Sequence, residues 1–116
     1  VDPTDMLKAD TKLIRLTITD RAGTIKDVEW NVEGSLFVGR SEMCNIFFDD
    51  ERLSKQHFVI EVTKMACYIE DLESTNGTFV NGVKVTSKRM LLEGDKITAG
   101  RETFVFHVMN DSQAAE

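Results

Sequence analysis

The strongest constraint in the sequence is that short alternating apolar runs are broken again and again by turn-forming residues. No helical period persists beyond about two turns. Ile14, Leu16 and Ile18 alternate with Arg15 and Thr17, and Val28, Trp30 and Val32 alternate with Glu29 and Asn31. That is the period of half-buried strands. Further runs cover 36–38, 45–48, 57–62, 66–71, 78–80, 84–85, 90–92, 96–99 and 103–108. Between them stand turn formers such as Arg21-Ala22-Gly23, Asn76-Gly77, Asn81-Gly82 and Glu93-Gly94-Asp95. Pro3 is the single proline, so nothing in the body removes a ladder donor. Strands this short and numerous cannot bury their faces in one flat sheet, and two packed antiparallel sheets are the expected solution. The predicted fold is therefore an all-β antiparallel sandwich.

Length and charge narrow the function. A chain of 116 residues with 41% apolar content can bury one core without metal or disulfides. Fourteen basic against twenty acidic residues leave a net charge of −6, which excludes nucleic-acid binding by bulk charge but not a small basic pocket. No run of about 18 apolar residues is present, so no membrane insertion is expected. The start lacks the pattern of a secretory signal, and because the chain opens on Val1 it reads as a processed or excised piece of a longer protein. Cys44 and Cys67, 23 residues apart, have the look of buried reduced thiols, which suits an intracellular, reducing compartment, cytoplasmic or nuclear. Residues 1–11 and 110–116 are polar and unpatterned and are expected to be flexible tails around one domain at 12–109.

Three polar segments do not fit a strand-only account: Gly39-Arg40-Ser41, Arg52-Leu53-Ser54-Lys55-Gln56-His57 and Ser74-Thr75-Asn76-Gly77-Thr78. All fall at strand ends or in loops, and loops at one end of a sandwich can converge. Together they offer guanidinium, ammonium, hydroxyl and amide donors. Such an inventory suits an oxyanion, most commonly a phosphate.

The runs FVGRSEMCNIFFDDERLSKQHFVIEV, YIEDLESTNGTFVNGVKV and LLEGDKITAG closely resemble the forkhead-associated (FHA) domain. Its pattern is G-R, then S-x-x-H, then S-T-N-G-T and N-G. The resemblance implies a twisted, SMAD-like β-sandwich of about eleven strands whose loops at one end bind phosphothreonine peptides. Carried over by position, Arg40 and Ser54 would contact the phosphate, Lys55 would add a cation and Thr75 a further hydrogen bond. Asn76 would grip the peptide main chain, and Arg52 would read the third residue after the phosphothreonine. Gly39 would permit close backbone approach, His57 would brace the loops from behind, and Gly77 and Asn81 would support the site as turn residues.

Other readings of these residues are weaker. Ser54 and His57 could suggest a nucleophile and base, but three residues apart at a strand entrance they would face opposite ways, and no oriented third group accompanies them. The glycines of Gly94-Asp95-Lys96-Ile97-Thr98-Ala99-Gly100 do not form the nucleotide-binding cradle. Asp49-Asp50-Glu51 reads as a solvated acidic loop. No enzyme activity, cofactor or metal is expected. The function expected is that of a phosphothreonine-binding interaction module, monomeric in isolation, within a larger signalling or regulatory protein. The alternative is a phosphate-independent interaction or assembly module of the same fold.

Overall fold

Alternation becomes burial most plainly in the first strand. Ile14, Leu16 and Ile18 lie at 0–1% exposure while Arg15 and Thr17 between them reach the surface. The computed structural model describes residues 12–31 and 33–110. Val32, residues 1–11 and residues 111–116, which carry most of the two expected tails, lie outside the described residues.

Eleven strands follow in order: β1 (Lys12–Thr19), β2 (Ile25–Trp30), β3 (Gly34–Gly39), β4 (Ile46–Phe47), β5 (Phe58–Val62), β6 (Cys67–Asp71), β7 (Thr78–Val80), β8 (Val83–Lys84), β9 (Arg89–Leu91), β10 (Lys96–Ala99) and β11 (Glu102–Asn110). One sheet has the order β2-β1-β11-β10-β7-β8 and the other β4-β3-β5-β6-β9. The expected runs find their strands, with ends shifted by up to three residues.

Two details differ from the expectation. The β3–β4 pair is parallel, with Val38 opposite Ile46 and Gly39 opposite Phe47. The loop between them turns back far enough for the Asn45 side-chain oxygen to accept the Phe37 amide at 2.8 Å, so β4 restarts beside the end of β3 and runs the same way. Asn110, expected to open the C-terminal tail, is the last residue of β11 and pairs with Lys12.

The inner faces of the two sheets meet through aromatic rings. Phe58 on β5 and Phe104 on β11 are fully buried and contact edge to face, centroids 5.4 Å apart and planes at 86°. Phe48 adds a second edge contact to Phe104 at 5.9 Å. Phe58 also opens β5 immediately after His57, so this rivet lies directly beneath the polar loops. Phe104→Ala is expected to cost about 3–5 kcal/mol in urea unfolding, whereas Leu92→Ala, at an exposed position, costs less than about 0.5 kcal/mol.

Candidate functional site

A missing side chain brings the polar loops together. At Gly39, the last residue of β3, an added Cβ would sit 2.3 Å from the Lys55 carbonyl oxygen and 2.9 Å from that of Ser54. Without it, the β3–β4 loop lies flat against the β4–β5 loop. The Arg40 and Ser41 amides donate to the carbonyls of Ser54 and Lys55 at 3.0 and 3.1 Å. The buried Cys44 thiol donates to the same Lys55 carbonyl at 3.1 Å, and burial pushes its pKa up despite an opposing backbone contact at Ser41.

His57 joins this pair of loops to the third. Its ring is fully buried; Nδ1 accepts the Ser54 amide at 3.0 Å, so Nε2 carries the proton and donates to the Gly77 carbonyl at 2.9 Å. The Ser54 hydroxyl, for its part, accepts the Thr75 amide at 3.0 Å instead of facing the imidazole. Ser54 and His57 therefore meet through a backbone amide and form no nucleophile–base pair.

The β6–β7 loop is shaped by a carboxylate absent from the sequence expectation. Asp71 accepts the amide and hydroxyl of Ser74 at 3.0 and 2.6 Å and the Thr78 hydroxyl at 2.6 Å. Burial works to raise its pKa, yet the Ser74 and Thr78 hydrogen bonds hold it below the usual aspartate value. The Ser74 hydroxyl oxygen in turn accepts the Gly77 amide at 2.9 Å. Glu73 takes a left-handed φ of 55° and Gly77 one of 88°, the second being a conformation that glycine adopts without strain. The Asp-x-x-Ser spacing is a known local capping signal and could have been read from sequence.

Arg40, Arg52, Ser54, Lys55, Thr75 and Asn76 all line one open cleft of about 460 Å³. Glu51, Leu53 and Gln56, which the motif reading left out, complete its wall. The Arg40 Nε donates to the Leu53 carbonyl at 3.1 Å, which orients the guanidinium and leaves its terminal nitrogens toward solvent. Asn76 spends part of its amide inside the protein, donating to the Arg52 carbonyl at 2.8 Å. Among the described residues the ion pairs are Arg15–Glu29, Lys88–Glu61 and His107–Glu93, so no carboxylate neutralises Arg40, Arg52 or Lys55.

Asn81 lies elsewhere, in the β7–β8 turn with φ 52°, where its side chain donates to Asp95 and accepts the Lys96 amide. It ties β7 to β10 at the far end of β7 from the cleft. The acidic run needs a correction: Asp49 and Glu51 are exposed, but Asp50 is fully buried because its carboxylate serves backbone amides. Among the described residues no cluster of His, Cys, Asp or Glu could hold a metal ion, and no helix is long and apolar enough to cross a membrane.

Comparison with known proteins adds the following. The family model for the FHA domain matches residues 36–100. A probable serine/threonine-protein kinase of Dictyostelium discoideum, fhkA, is 33% identical over 87 residues, covering 66% of this chain and 14% of the kinase. FhaB of Mycobacterium tuberculosis, an FHA domain-containing protein, is 29% identical over 69 residues, covering 60% of this chain and 44% of that protein. Thus the chain corresponds to less than half the length of either relative. Among solved structures, one from a study of phosphothreonine-dependent FHA domain interactions superposes with a TM-score of 0.70 at 28% identity, covering 82% of this chain and 95% of the other. The FhaA FHA domain, complexed with the intracellular domain of Rv3910, gives 0.69 at 29% identity over 81% and 99%.

Replacing Gly39 tests the assembly of the loops without touching a charged group. Gly39→Ala is expected to cost about 1–3 kcal/mol in urea unfolding, because the new methyl must displace the 54–55 backbone. An unchanged midpoint would show that the loops do not depend on this approach.

Proposed function

The chain belongs to the FHA domain family, a family of protein-interaction modules, and from that premise we propose that it binds phosphothreonine peptides in the cleft at Arg40 and Ser54 and carries out no chemistry of its own. The observation that carries this reading is the set of three cations, Arg40, Arg52 and Lys55, around one cleft with no carboxylate partner among the described residues. On a protein of net charge −6 a cleft with three cations and no carboxylate partner is a local reversal of the overall charge, which suits an anionic ligand.

In this reading the Arg40 guanidinium and the Ser54 hydroxyl hold the phosphate. The Ser54 oxygen already accepts the Thr75 amide, so its proton is free to point at the ligand. Lys55 adds charge, and the Thr75 hydroxyl a further bond. Asn76 has its side-chain oxygen left for the peptide main chain. Arg52, on the cleft wall, favours an acidic residue three positions after the phosphothreonine. Gly39, His57 and Gly77 keep these groups in register from behind, and Asn81 steadies β7.

A phosphothreonine brings about −1.5 to −2 charges and three strong acceptors. Charge-assisted bonds contribute roughly 1.5–3 kcal/mol each, so two at the low end separate phosphorylated from bare peptide by about 3 kcal/mol, near a hundredfold. Phosphorylation then acts as the switch. Preference for threonine over serine rests on one methyl, about 0.8 kcal/mol if buried. We further infer that the domain works inside a larger intracellular signalling or regulatory protein, is monomeric by itself, and needs neither nucleic acid, cofactor nor metal. Its short coverage of its relatives supports the first point.

Titration calorimetry with a phosphothreonine peptide carrying a downstream acidic residue is expected to show binding that phosphatase treatment of the peptide abolishes. Arg40→Ala should abolish it too, with an unchanged unfolding midpoint. Equal binding of phosphorylated and bare peptide would favour a phosphate-independent interaction module instead. A second outcome concerns pH: because the phosphate's second pKa is near 6, affinity should weaken between pH 7.5 and about 5.5, and a flat profile would contradict phosphate recognition by charge.

A further inference from the structure

Behind the cleft, two carboxyl groups from distant parts of the chain are buried together. Asp50, in the β4–β5 loop, is 0% exposed, and Glu102, the first residue of β11, is 1% exposed. The Asp50 carboxylate lies against the Gly100–Arg101 backbone immediately before Glu102, accepting the Arg101 amide, and the two carboxyl groups interact there. Two ionised carboxylates buried side by side would repel each other strongly, which favours the state in which one of them keeps its proton.

The surroundings decide which. Asp50 accepts the Arg52 amide at 2.9 Å and the Arg101 amide at 3.0 Å. Gly100 leaves its Oδ2 room: a Cβ there would lie 2.9 Å away. Burial alone would raise the Asp50 pKa, but these amides, the Glu102 side chain and the Arg101 charge outweigh it and hold it below the usual value. Glu102, by contrast, has an Oε1 that no donor of the protein reaches. Burial first, then the Asp50 carboxylate, push its pKa up to about 7 against weaker pulls from the Arg101 and Arg21 backbones. Asp20 and Arg21 from the β1–β2 turn and Asp49 from the β4–β5 loop border the recess that Glu102 lines. The Asp20 carboxylate is occupied by the Ala22 and Thr24 amides.

We propose that Asp50 and Glu102 share a single proton, and that this carboxyl–carboxylate pair is a positioning element that fastens the turn at 50–53, and through it Arg40 and Arg52, to the start of β11. The linkage is short. Asp50 takes the Arg52 amide on its side chain and the Leu53 amide on its own carbonyl, at 3.0 Å, and the Leu53 carbonyl is the group that orients Arg40. Loss of the shared proton sets two buried charges against each other directly behind the residues that face the ligand. The consequence for the ligand rests on the binding role proposed above; the pair itself does not.

The sign of the pH dependence follows. In the folded protein Glu102 keeps its proton to about pH 7, whereas unfolded it loses it near its ordinary value of 4.5. Between those values the folded state binds more protons, so this group's contribution to stability falls as pH rises through the window. Asp50 acts oppositely, and only at lower pH.

Three measurements test the proposal. In the wild-type protein, a carboxyl-carbon NMR titration should place the Glu102 transition near pH 7; a transition in the ordinary glutamate range overturns the shared proton without any variant. In thermal unfolding, Glu102→Gln, which keeps a donor to Asp50 but cannot ionise, should match the wild type at pH 5 and exceed it at pH 8 by roughly 5–10 °C; parallel curves overturn it. With a phosphothreonine peptide, the ratio of wild-type to Glu102→Gln Kd should be near one at pH 6 and rise severalfold at pH 8.5, the peptide's own titration cancelling in the ratio. A flat ratio removes the positioning role. Absence of peptide binding by the wild type would instead overturn the function proposed above, while the first two measurements still judge the pair.

Discussion

Everything at the cleft depends on the close approach of two backbones where β3 ends. Any residue with a Cβ at this position would hold the facing loop away. At Gly39 that spacer is absent, and the 54–55 peptide moves into its place, taking amides from Arg40 and Ser41. The result places a guanidinium and a hydroxyl from segments 14 residues apart on one wall. His57 then extends the same rigid backing to the Gly77 loop through both ring nitrogens. The loops are thus held by main-chain and buried contacts, so that the side chains facing outward need not hold them.

That division explains how an acidic protein can present a cationic cleft. Two carboxylates flanking the site are committed to the scaffold: Asp71 to Ser74 and Thr78, Asp50 to the Arg52 and Arg101 amides. Of the wall residues Glu51 alone is acidic. Charge near the site is sorted by depth, with anions bound to backbone amides inside and cations left outside. At the surface of the cleft three cations then stand against the single carboxylate of Glu51.

Much of the fold was legible because strand periodicity and turn chemistry are local signals. The runs at 14–18, 57–62 and 103–108 and the turns at Asn76-Gly77 and Asn81-Gly82 needed no tertiary information. The cleft was legible for a different reason: its polar segments fall outside the alternation, and their order matches a family pattern. What stayed hidden depends on contacts between distant residues. Asp50 reads as one of three exposed acids until Glu102, 52 positions later, is folded against it. The parallel β3–β4 pair likewise cannot be inferred from a two-residue strand, since nothing in Ile46-Phe47 sets its direction. Asn76 shows a finer limit, because its motif suggests a contact to the ligand and cannot reveal that half of its amide is already used by Arg52.

The sheet margins carry one more consequence. Three of the four outermost strands are tiny: β4 and β8 have two residues each and β9 has three. The fourth, β2, has six, but Lys26, Asp27 and Glu29 stud it with charge. Such margins offer an incoming strand few open hydrogen-bonding sites, or sites guarded by ions, which is how β-proteins avoid zipping onto one another. A unit built this way can be joined to other domains, or crowded beside copies of itself, without fusing its sheets to theirs.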